Sequence, residues 1–155
     1  MQEMAGSVPS PARAGGYAGE APRTLGSIDG ELESRTSIGI GELDRVLGGG
    51  LVPGSVILLG GDPGVGKSTL LLQVSALLAR HDSKVLYVSG EESAQQIKMR
   101  ARRLSLLPPD LYVLTETHLH TILNHLDELQ PMAMVIDSIQ TVYLDELSSA
   151  AGSVS

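Results

Sequence analysis

The spacing of apolar residues changes repeatedly along the chain after about residue 35. A continuous apolar run, typical of a strand buried on both faces, covers residues 55–61. Three further apolar segments, residues 84–90, 111–114 and 132–137, also predict strands. Between these runs apolar residues recur at three- and four-residue intervals, which predicts helices over residues 67–80, 94–104 and 119–129. A shorter helix is expected over residues 40–47, because three glycines follow it and would end it.

The order of these elements predicts the fold class. Strands and helices alternate from residue 55 to residue 137, so consecutive strands would be parallel and would be connected through helices. Ser93 and Gln96 have the spacing of a capping box at the start of the helix over residues 94–104. We therefore expect an α/β domain with a mostly parallel sheet flanked by helices on both faces.

The first 34 residues show neither of these periodicities. They are rich in Ala, Gly, Pro, Ser and Glu, a composition that does not support a packed core. We expect a disordered tail or linker over residues 1–34 and one ordered domain over residues 35–155.

Composition narrows the class of protein further. The 155 residues include no cysteine, which excludes disulfides and thiolate zinc sites. No apolar run reaches the roughly 18 residues of a membrane-spanning helix, and the N-terminus lacks the pattern of a secretory signal, so we expect a cytoplasmic protein without membrane contact. The formal net charge is -7. Nucleic-acid-binding domains are usually basic, so any contact with nucleic acid is expected to be local.

One glycine-rich turn carries a chemical signature. Residues 60–73 read GGDPGVGKSTLLLQ, and within them Gly61, Gly66, Lys67 and Ser68 match the P-loop pattern. Glycines let successive backbone N–H groups turn toward one anion, and the start of a helix adds further donors and a positive dipole end. A chance match is the alternative, but a predicted strand precedes the motif and a predicted helix follows it, as in phosphate-binding loops.

The P-loop pattern predicts binding of the phosphates of a nucleotide and assigns roles to its residues. Lys67 would reach the β- and γ-phosphates and so would also act as a catalytic residue, and Ser68 would ligate Mg²⁺ through its hydroxyl. The residues expected to contact the nucleotide are Gly61, Asp62, Pro63, Gly64, Val65, Gly66, Lys67, Ser68 and Thr69.

Carboxylates follow two of the predicted strands. Asp137 ends the run over residues 132–137, where it would bind Mg²⁺ directly or through water; a turn residue at the end of a strand is the alternative. Glu91 and Glu92 follow the run over residues 84–90, and ligands of open α/β sheets bind at the carboxyl ends of strands. One of the two, with Glu91 preferred, would act as the catalytic base toward the attacking water. Alternatively the pair complements the dipole of the next helix, and each glutamate can serve one of these roles.

Other polar residues have weaker interpretations. Gln140, three residues after Asp137, would sense the γ-phosphate through its amide, unless it is a solvated loop residue. A solvated helix face is expected, with contact to a phosphate backbone as the alternative, for the basic cluster Lys98, Arg100, Arg102 and Arg103. The histidines of the segment 118–125 lack His-x-x-x-His spacing, so we expect no metal site there.

Three segments together resemble the RecA-like ATPases and, within them, the bacterial RadA (Sms) family of DNA repair proteins. They are GIGELDRVLGGGLVPGSVILLGGDPGVGKSTLLLQ, LYVSGEESAQQIKMRA and VIDSIQTVY. The P-loop is generic, whereas SGEESAQQIK and DSIQT at these spacings are far more specific. The resemblance covers about residues 35–155, and it implies a RecA-like P-loop NTPase core that hydrolyses ATP with Mg²⁺.

The resemblance also implies partners. RadA-like proteins are ATP-driven motors on branched or single-stranded DNA, so we expect DNA contact through loops after residue 140, assembly of the full-length protein into a homo-oligomeric ring, and a recombinase as a further partner. The chain lacks the Cys and Phe of the family's zinc finger and Lys-Asn-Arg-Phe-Gly motif. We therefore expect a C-terminally incomplete core, also without the family's Lon-protease-like domain. A nucleotide-dependent switch acting through protein partners and a fragment that binds ATP without turnover are the alternative functions.

Overall fold

The computed structural model describes residues 24–27, 34–80 and 82–145. The chain divides into two units, residues 1–33 and residues 34–155. In the first unit the described residues form one 3₁₀ turn, Leu25–Ser27. The expected disorder over residues 1–34 falls almost entirely outside the described residues, and the site lies in the second unit.

The second unit alternates helices and strands along the chain. In chain order its elements are α1 (Gly41–Val46), α2 (Lys67–Leu78), β1 (Val85–Ser89), α3 (Ala94–Arg103), β2 (Leu111–Thr115), α4 (Leu119–Leu129) and β3 (Ala133–Asp137). A short 3₁₀ turn, Ile139–Thr141, follows β3. The four predicted helices and three of the four predicted strands are confirmed, with bounds that differ by one or two residues.

The three strands form one parallel sheet with β1 in the centre, in the order β2-β1-β3. The register places Ser89, the last residue of β1, beside Thr115 on one neighbour and Asp137 on the other. All three strands therefore end at the same edge of the sheet. The polar residues that follow them are brought together at this edge, which is where α/β sheets bind ligands.

Helices cover both faces of the sheet. Alternate residues of β1 point to opposite faces, so each face contributes its own side chains to a buried cluster. On one face Tyr87 packs in a cluster with Leu72 of α2 and Ile97 of α3. On the other face Leu86 and Val88 pack in a cluster with Ile122 of α4. The predicted α/β class with a parallel, helix-flanked sheet is confirmed.

The fourth predicted strand is not formed in the described part of the chain. The apolar run over residues 55–61 is irregular, and Val56 is 97% and Leu58 84% exposed. The prediction was wrong because an apolar run becomes a buried strand only where another strand pairs with it and side chains cover it. Among the described residues β3 pairs with β1 alone, so the P-loop follows an irregular, exposed segment.

The segment that precedes α1 is held to the rest of the unit by backbone pairing and by one carboxylate. Thr36 and Leu51 exchange two backbone hydrogen bonds of 2.8 Å. The carboxylate of Asp44 accepts hydrogen bonds from the Ser37 hydroxyl at 2.7 Å and from the backbone N–H of Ile38 at 2.8 Å. Ile38 is thereby fixed in the buried cluster beneath α2.

Candidate functional site

The P-loop connects the exposed segment to α2. Gly64 and Gly66 have φ angles of +79° and +102°, a left-handed region that residues with a side chain rarely adopt. Gly66 is the N-cap of α2, and no side chain of residues 24–27, 34–80 or 82–145 caps this helix. The first N–H groups of a 12-residue helix therefore lack an intrahelical or side-chain acceptor, which is the arrangement that binds anions.

Lys67 lies against the loop that it follows. Its Nζ donates to the carbonyl oxygens of Gly61 at 2.7 Å and Asp62 at 2.8 Å. These are neutral acceptors, so a phosphate oxygen would be a stronger partner for the ammonium. Ser68 and Thr69 are half-buried in the first turn of α2, whereas Pro63 and Val65 are exposed. The structure thus gathers the predicted phosphate-binding residues around one helix start.

Asp137 ends β3 and is held by a tyrosine of the neighbouring strand. The Tyr87 hydroxyl donates to Oδ2 of Asp137 at 2.6 Å, and Tyr87 is completely buried. Burial first, and then the hydrogen bond to Asp137, raise the pKa of Tyr87 above its ordinary value. The phenol therefore keeps its proton and donates a hydrogen bond to the carboxylate.

The second carboxylate oxygen of Asp137 has a different environment. Oδ1 has no hydrogen-bond partner among the described residues, whereas Oδ2 has Tyr87. Carboxylate, hydroxyl and water oxygens are the ligands of Mg²⁺ in nucleotide sites. Oδ1 of Asp137 and the Ser68 hydroxyl, the two predicted metal ligands, are oxygen donors of the kind that Mg²⁺ accepts.

The two glutamates after β1 occupy different environments. Glu91 is exposed, and its Oε1 accepts a hydrogen bond of 2.9 Å from the Ser138 hydroxyl, next to Asp137. Glu92 is half-buried and forms an ion pair with Arg100 of α3. The second oxygen of Glu92 is buried and has no hydrogen-bond partner in the part of the chain that the structure describes. The Glu91 carboxylate is therefore exposed at the site, whereas the Glu92 carboxylate is paired with the guanidinium of Arg100.

This ion pair corrects the expectation for the basic cluster of α3. The side chain of Arg100 is only 17% exposed, so it does not belong to a solvated face. The sequence pattern missed this because Glu92 precedes the helix, and its pairing with Arg100 depends on how the loop enters α3. Lys98, Arg102 and Arg103 are exposed.

The segment after β3 packs closely against the end of β1. A Cβ atom placed on Gly90 would overlap the Thr141 side chain and would lie 2.8 Å from Cγ2 of Thr117. Thr141 in turn donates from its hydroxyl to the Ser138 carbonyl at 2.7 Å. Gln140, the expected phosphate sensor, lies in this 3₁₀ turn and is exposed, without a hydrogen-bond partner among the described residues.

The segment expected to contact DNA is described as far as Asp145. Tyr143 donates its backbone N–H to Thr117 and accepts from the N–H of Leu119, both at 2.9 Å, and its ring meets the His118 ring edge-on. His118 Nε2 lies 3.0 Å from a carboxylate oxygen of Asp145. The start of this segment is therefore fixed to the start of α4, and residues 146–155 lie outside the described residues.

Tyr87 was not among the site residues predicted from the sequence. The sequence feature that could have identified it is its position two residues before Ser89, because Tyr87 and Ser89 then point to the same face of β1.

The helices of the described residues are all too short or too polar to cross a membrane.

The chain is similar to known proteins over most of its length. A family model described as AAA domain matches residues 32–155. The protein named DNA repair protein RadA from Halalkalibacterium halodurans is 54% identical over 133 residues, which is 86% of this chain and 29% of the relative. Its namesake from Listeria monocytogenes is 57% identical over 128 residues, 83% of this chain and 28% of the relative.

A third relative extends the similarity to almost the whole chain. The DNA repair protein RadA of Pseudomonas aeruginosa is 51% identical over 156 aligned residues, which is 99% of this chain and 34% of the relative. The chain thus spans about a third of the length of the relatives it matches. It belongs to the AAA domain family and carries a P-loop ATPase core similar to that of the bacterial DNA repair protein RadA.

Proposed function

We propose that this chain is the ATP-binding and ATP-hydrolysing core of a RadA-type motor that acts on branched or single-stranded DNA in recombination and repair. One observation carries the proposal: the end of β3, the end of β1 and the P-loop helix α2 are linked by two hydrogen bonds and one buried cluster. Ser138 donates a hydrogen bond to Glu91 across the two strand ends, and Asp137 accepts one from Tyr87. Tyr87 packs in one buried cluster with Leu72 of α2, which lies one turn after Ser68.

The nucleotide would be held mainly by backbone. The N–H groups from Gly64 to Thr69 would surround the β- and γ-phosphates, and Lys67 would exchange the carbonyls of Gly61 and Asp62 for phosphate oxygens. The Ser68 hydroxyl and Oδ1 of Asp137 would hold Mg²⁺, directly or through water. The cation, when bound, neutralises charge on the phosphate oxygens.

Hydrolysis would use Glu91 as the base. Its carboxylate would orient a water molecule and accept a proton from it, as the water oxygen bonds to the γ-phosphorus and the bond from that phosphorus to the ADP oxygen breaks. The products are ADP and inorganic phosphate. Ser138 would hold one carboxylate oxygen of Glu91 in place, and the exposed Gln140 would contact the γ-phosphate.

Matched glutamate variants test this assignment. Glu91→Gln should bind ATP with unchanged affinity and lose most of the hydrolysis rate, since general-base catalysis is worth about 10²–10⁴-fold. Glu92→Gln should retain hydrolysis but lower thermal stability, because it leaves the half-buried Arg100 without its counter-charge. Normal turnover by Glu91→Gln would contradict the assignment. Lys67→Ala should lose ATP affinity, and retained affinity would contradict the proposed site.

DNA is the proposed macromolecular partner because the relatives are named DNA repair proteins. DNA contact would begin at the exposed Tyr143 and Leu144. The protein would act in the cytoplasm. The full-length protein would assemble into a homo-oligomeric ring and would have a recombinase as a further partner. ATPase rates with and without single-stranded and branched DNA test the motor. A rate indifferent to both DNAs would instead indicate a nucleotide switch acting through protein partners. ATP binding without turnover would indicate a non-catalytic fragment.

A further inference from the structure

We propose that Tyr87 is a positioning residue for the cation site: its hydroxyl holds Oδ2 of Asp137 and leaves Oδ1 as the oxygen that receives the cation or its water. The inference rests on the proposed function, because it takes Asp137 as the residue that meets Mg²⁺. Tyr87 itself would touch neither nucleotide nor metal. It would act only through the orientation of the carboxylate.

The contact is built to fix one orientation of that carboxylate. The torsion that rotates a carboxylate about its bond to Cβ is soft, so Asp137 needs an external partner to present one chosen oxygen. The Tyr87 hydroxyl supplies a donor at 2.6 Å. Its ring is completely buried among Leu72, Ile97 and Ala101, so the donor has a fixed position.

The same packing connects the two residues that would hold the cation. Leu72, which packs in the cluster with Tyr87, lies one turn after Ser68 on α2. A shift of α2 would therefore move Ser68 and, through Leu72 and Tyr87, the carboxylate of Asp137. Any nearby acceptor could supply the hydrogen bond that a buried phenol needs. The coupling to α2 therefore gives the Tyr87 hydroxyl a further role.

A purely structural role and a positioning role predict different results. If the hydroxyl only stabilises the fold, its removal lowers stability and leaves the dependence of nucleotide binding on Mg²⁺ unchanged. If it orients Asp137, its removal weakens the cation site while the nucleotide contacts made without metal remain. Loss of a hydrogen-bonding partner behind a metal ligand typically costs 10–100-fold in metal affinity.

The test measures the Mg²⁺ concentration that half-saturates binding of a fluorescent ATP analogue to the whole chain. Tyr87→Phe keeps the ring and should raise this concentration by about tenfold, with affinity in EDTA unchanged. Tyr112→Phe is the matched control, because this tyrosine is exposed on β2, and it should leave both quantities unchanged. In an Asp137→Asn background, Tyr87→Phe should have no further effect.

The outcomes separate the two proposals. An effect of Asp137→Asn on the Mg²⁺ dependence with none from Tyr87→Phe overturns the positioning role alone. An unchanged Mg²⁺ dependence in Asp137→Asn overturns the cation site of the proposed function. An additive effect of Tyr87→Phe in the Asp137→Asn background also overturns positioning through Asp137.

A second readout keeps the proposal testable if Tyr87→Phe does not fold. The sequence has four tyrosines and no tryptophan, so replacing Tyr17, Tyr112 and Tyr143 by Phe leaves Tyr87 as the single ultraviolet fluorophore. Adding Mg²⁺ to this ATP-bound protein should change the Tyr87 emission over the concentration range that saturates binding, because the carboxylate beside the phenol gains a cation. No change in emission would overturn the proposal, and Asp137→Asn should abolish the change.

Discussion

Gly90 shows how one residue without a side chain shapes the site. An added Cβ would overlap Thr141 and would lie 2.8 Å from Cγ2 of Thr117, and both neighbours are held by backbone and side-chain hydrogen bonds. We predict that Gly90→Ala lowers the free energy of unfolding by about 1–3 kcal/mol, as overpacking does, measured by urea denaturation. At Gly41 a Cβ would meet no atom of the described residues within 4 Å, so Gly41→Ala is the control. Equal stability of the two variants would contradict the prediction.

Individual residues of the site were predictable where backbone and motif decide their role. The P-loop residues were identified because glycine spacing, Lys67 and Ser68 form a local pattern. Choosing between Glu91 and Glu92 was harder, because the sequence does not show that Glu92 pairs with Arg100 of the following helix, α3. Tyr87 was missed because its partner, Asp137, lies 50 positions later in the sequence. The hydrogen bond between them exists only once β1 and β3 are paired.

The start of α3 is an element whose stability has an identifiable local source. The Ser93 hydroxyl accepts from the N–H of Gln96, and the Gln96 side chain accepts from the N–H of Ser93. We predict that Ser93→Ala lowers the free energy of unfolding by about 1 kcal/mol. Thermal or urea denaturation measures it, with Gln95→Ala, on the same helix outside the box, as the control. A loss confined to Gln95→Ala would show that the box does not stabilise α3.

The loop before α1 gives a pH-dependent test. Hydrogen bonds from Ser37 and from the N–H of Ile38 hold the pKa of Asp44 below its ordinary value of 3.8. A lowered folded pKa means that the stabilisation is present above the ordinary pKa and is lost as the pH falls through the folded value. We therefore predict that the stability difference between wild type and Asp44→Asn is largest near neutral pH and shrinks below about pH 4.

Denaturant unfolding at a series of pH values checks this prediction. The carboxylate of Asp127 makes no hydrogen bond or ion pair among the described residues, so Asp127→Asn is the matched control for the loss of a carboxylate charge alone. A difference for Asp44→Asn that stays constant from neutral pH to below its ordinary pKa would contradict the role given to its carboxylate.

Elements were predicted well where burial follows from their own periodicity. The two amphipathic helices α3 and α4 and the buried central strand β1 match the expected bounds within two residues. The run over residues 55–61 shows the limit. Its composition indicates a buried strand, but pairing and cover come from other segments, and residues 55–61 have no strand partner in the described part of the chain.

The molecule as a whole presents two features that favour association. Each outer strand of the sheet, β2 and β3, has one edge that no described strand pairs with. Beside the site, the run over residues 55–61 exposes Val56 and Leu58 almost completely. Unpaired strand edges and contiguous exposed apolar side chains are the surfaces through which chains associate, and a net charge of -7 opposes this only at long range and low salt.

We therefore predict that the chain self-associates with rising concentration, more strongly at high salt, and that replacing Val56 and Leu58 together by serine reduces this association. The exposed side chains contribute little to the core, so the double variant should keep the circular dichroism spectrum of the wild type. Static light scattering across a concentration series measures the weight-average mass. Met99→Ser removes an exposed apolar side chain from α3, outside this run, and should leave the mass unchanged. A double variant that associates as strongly as wild type would instead place the association at the open edges of β2 and β3, where charged substitutions such as Val113→Lys would then reduce it.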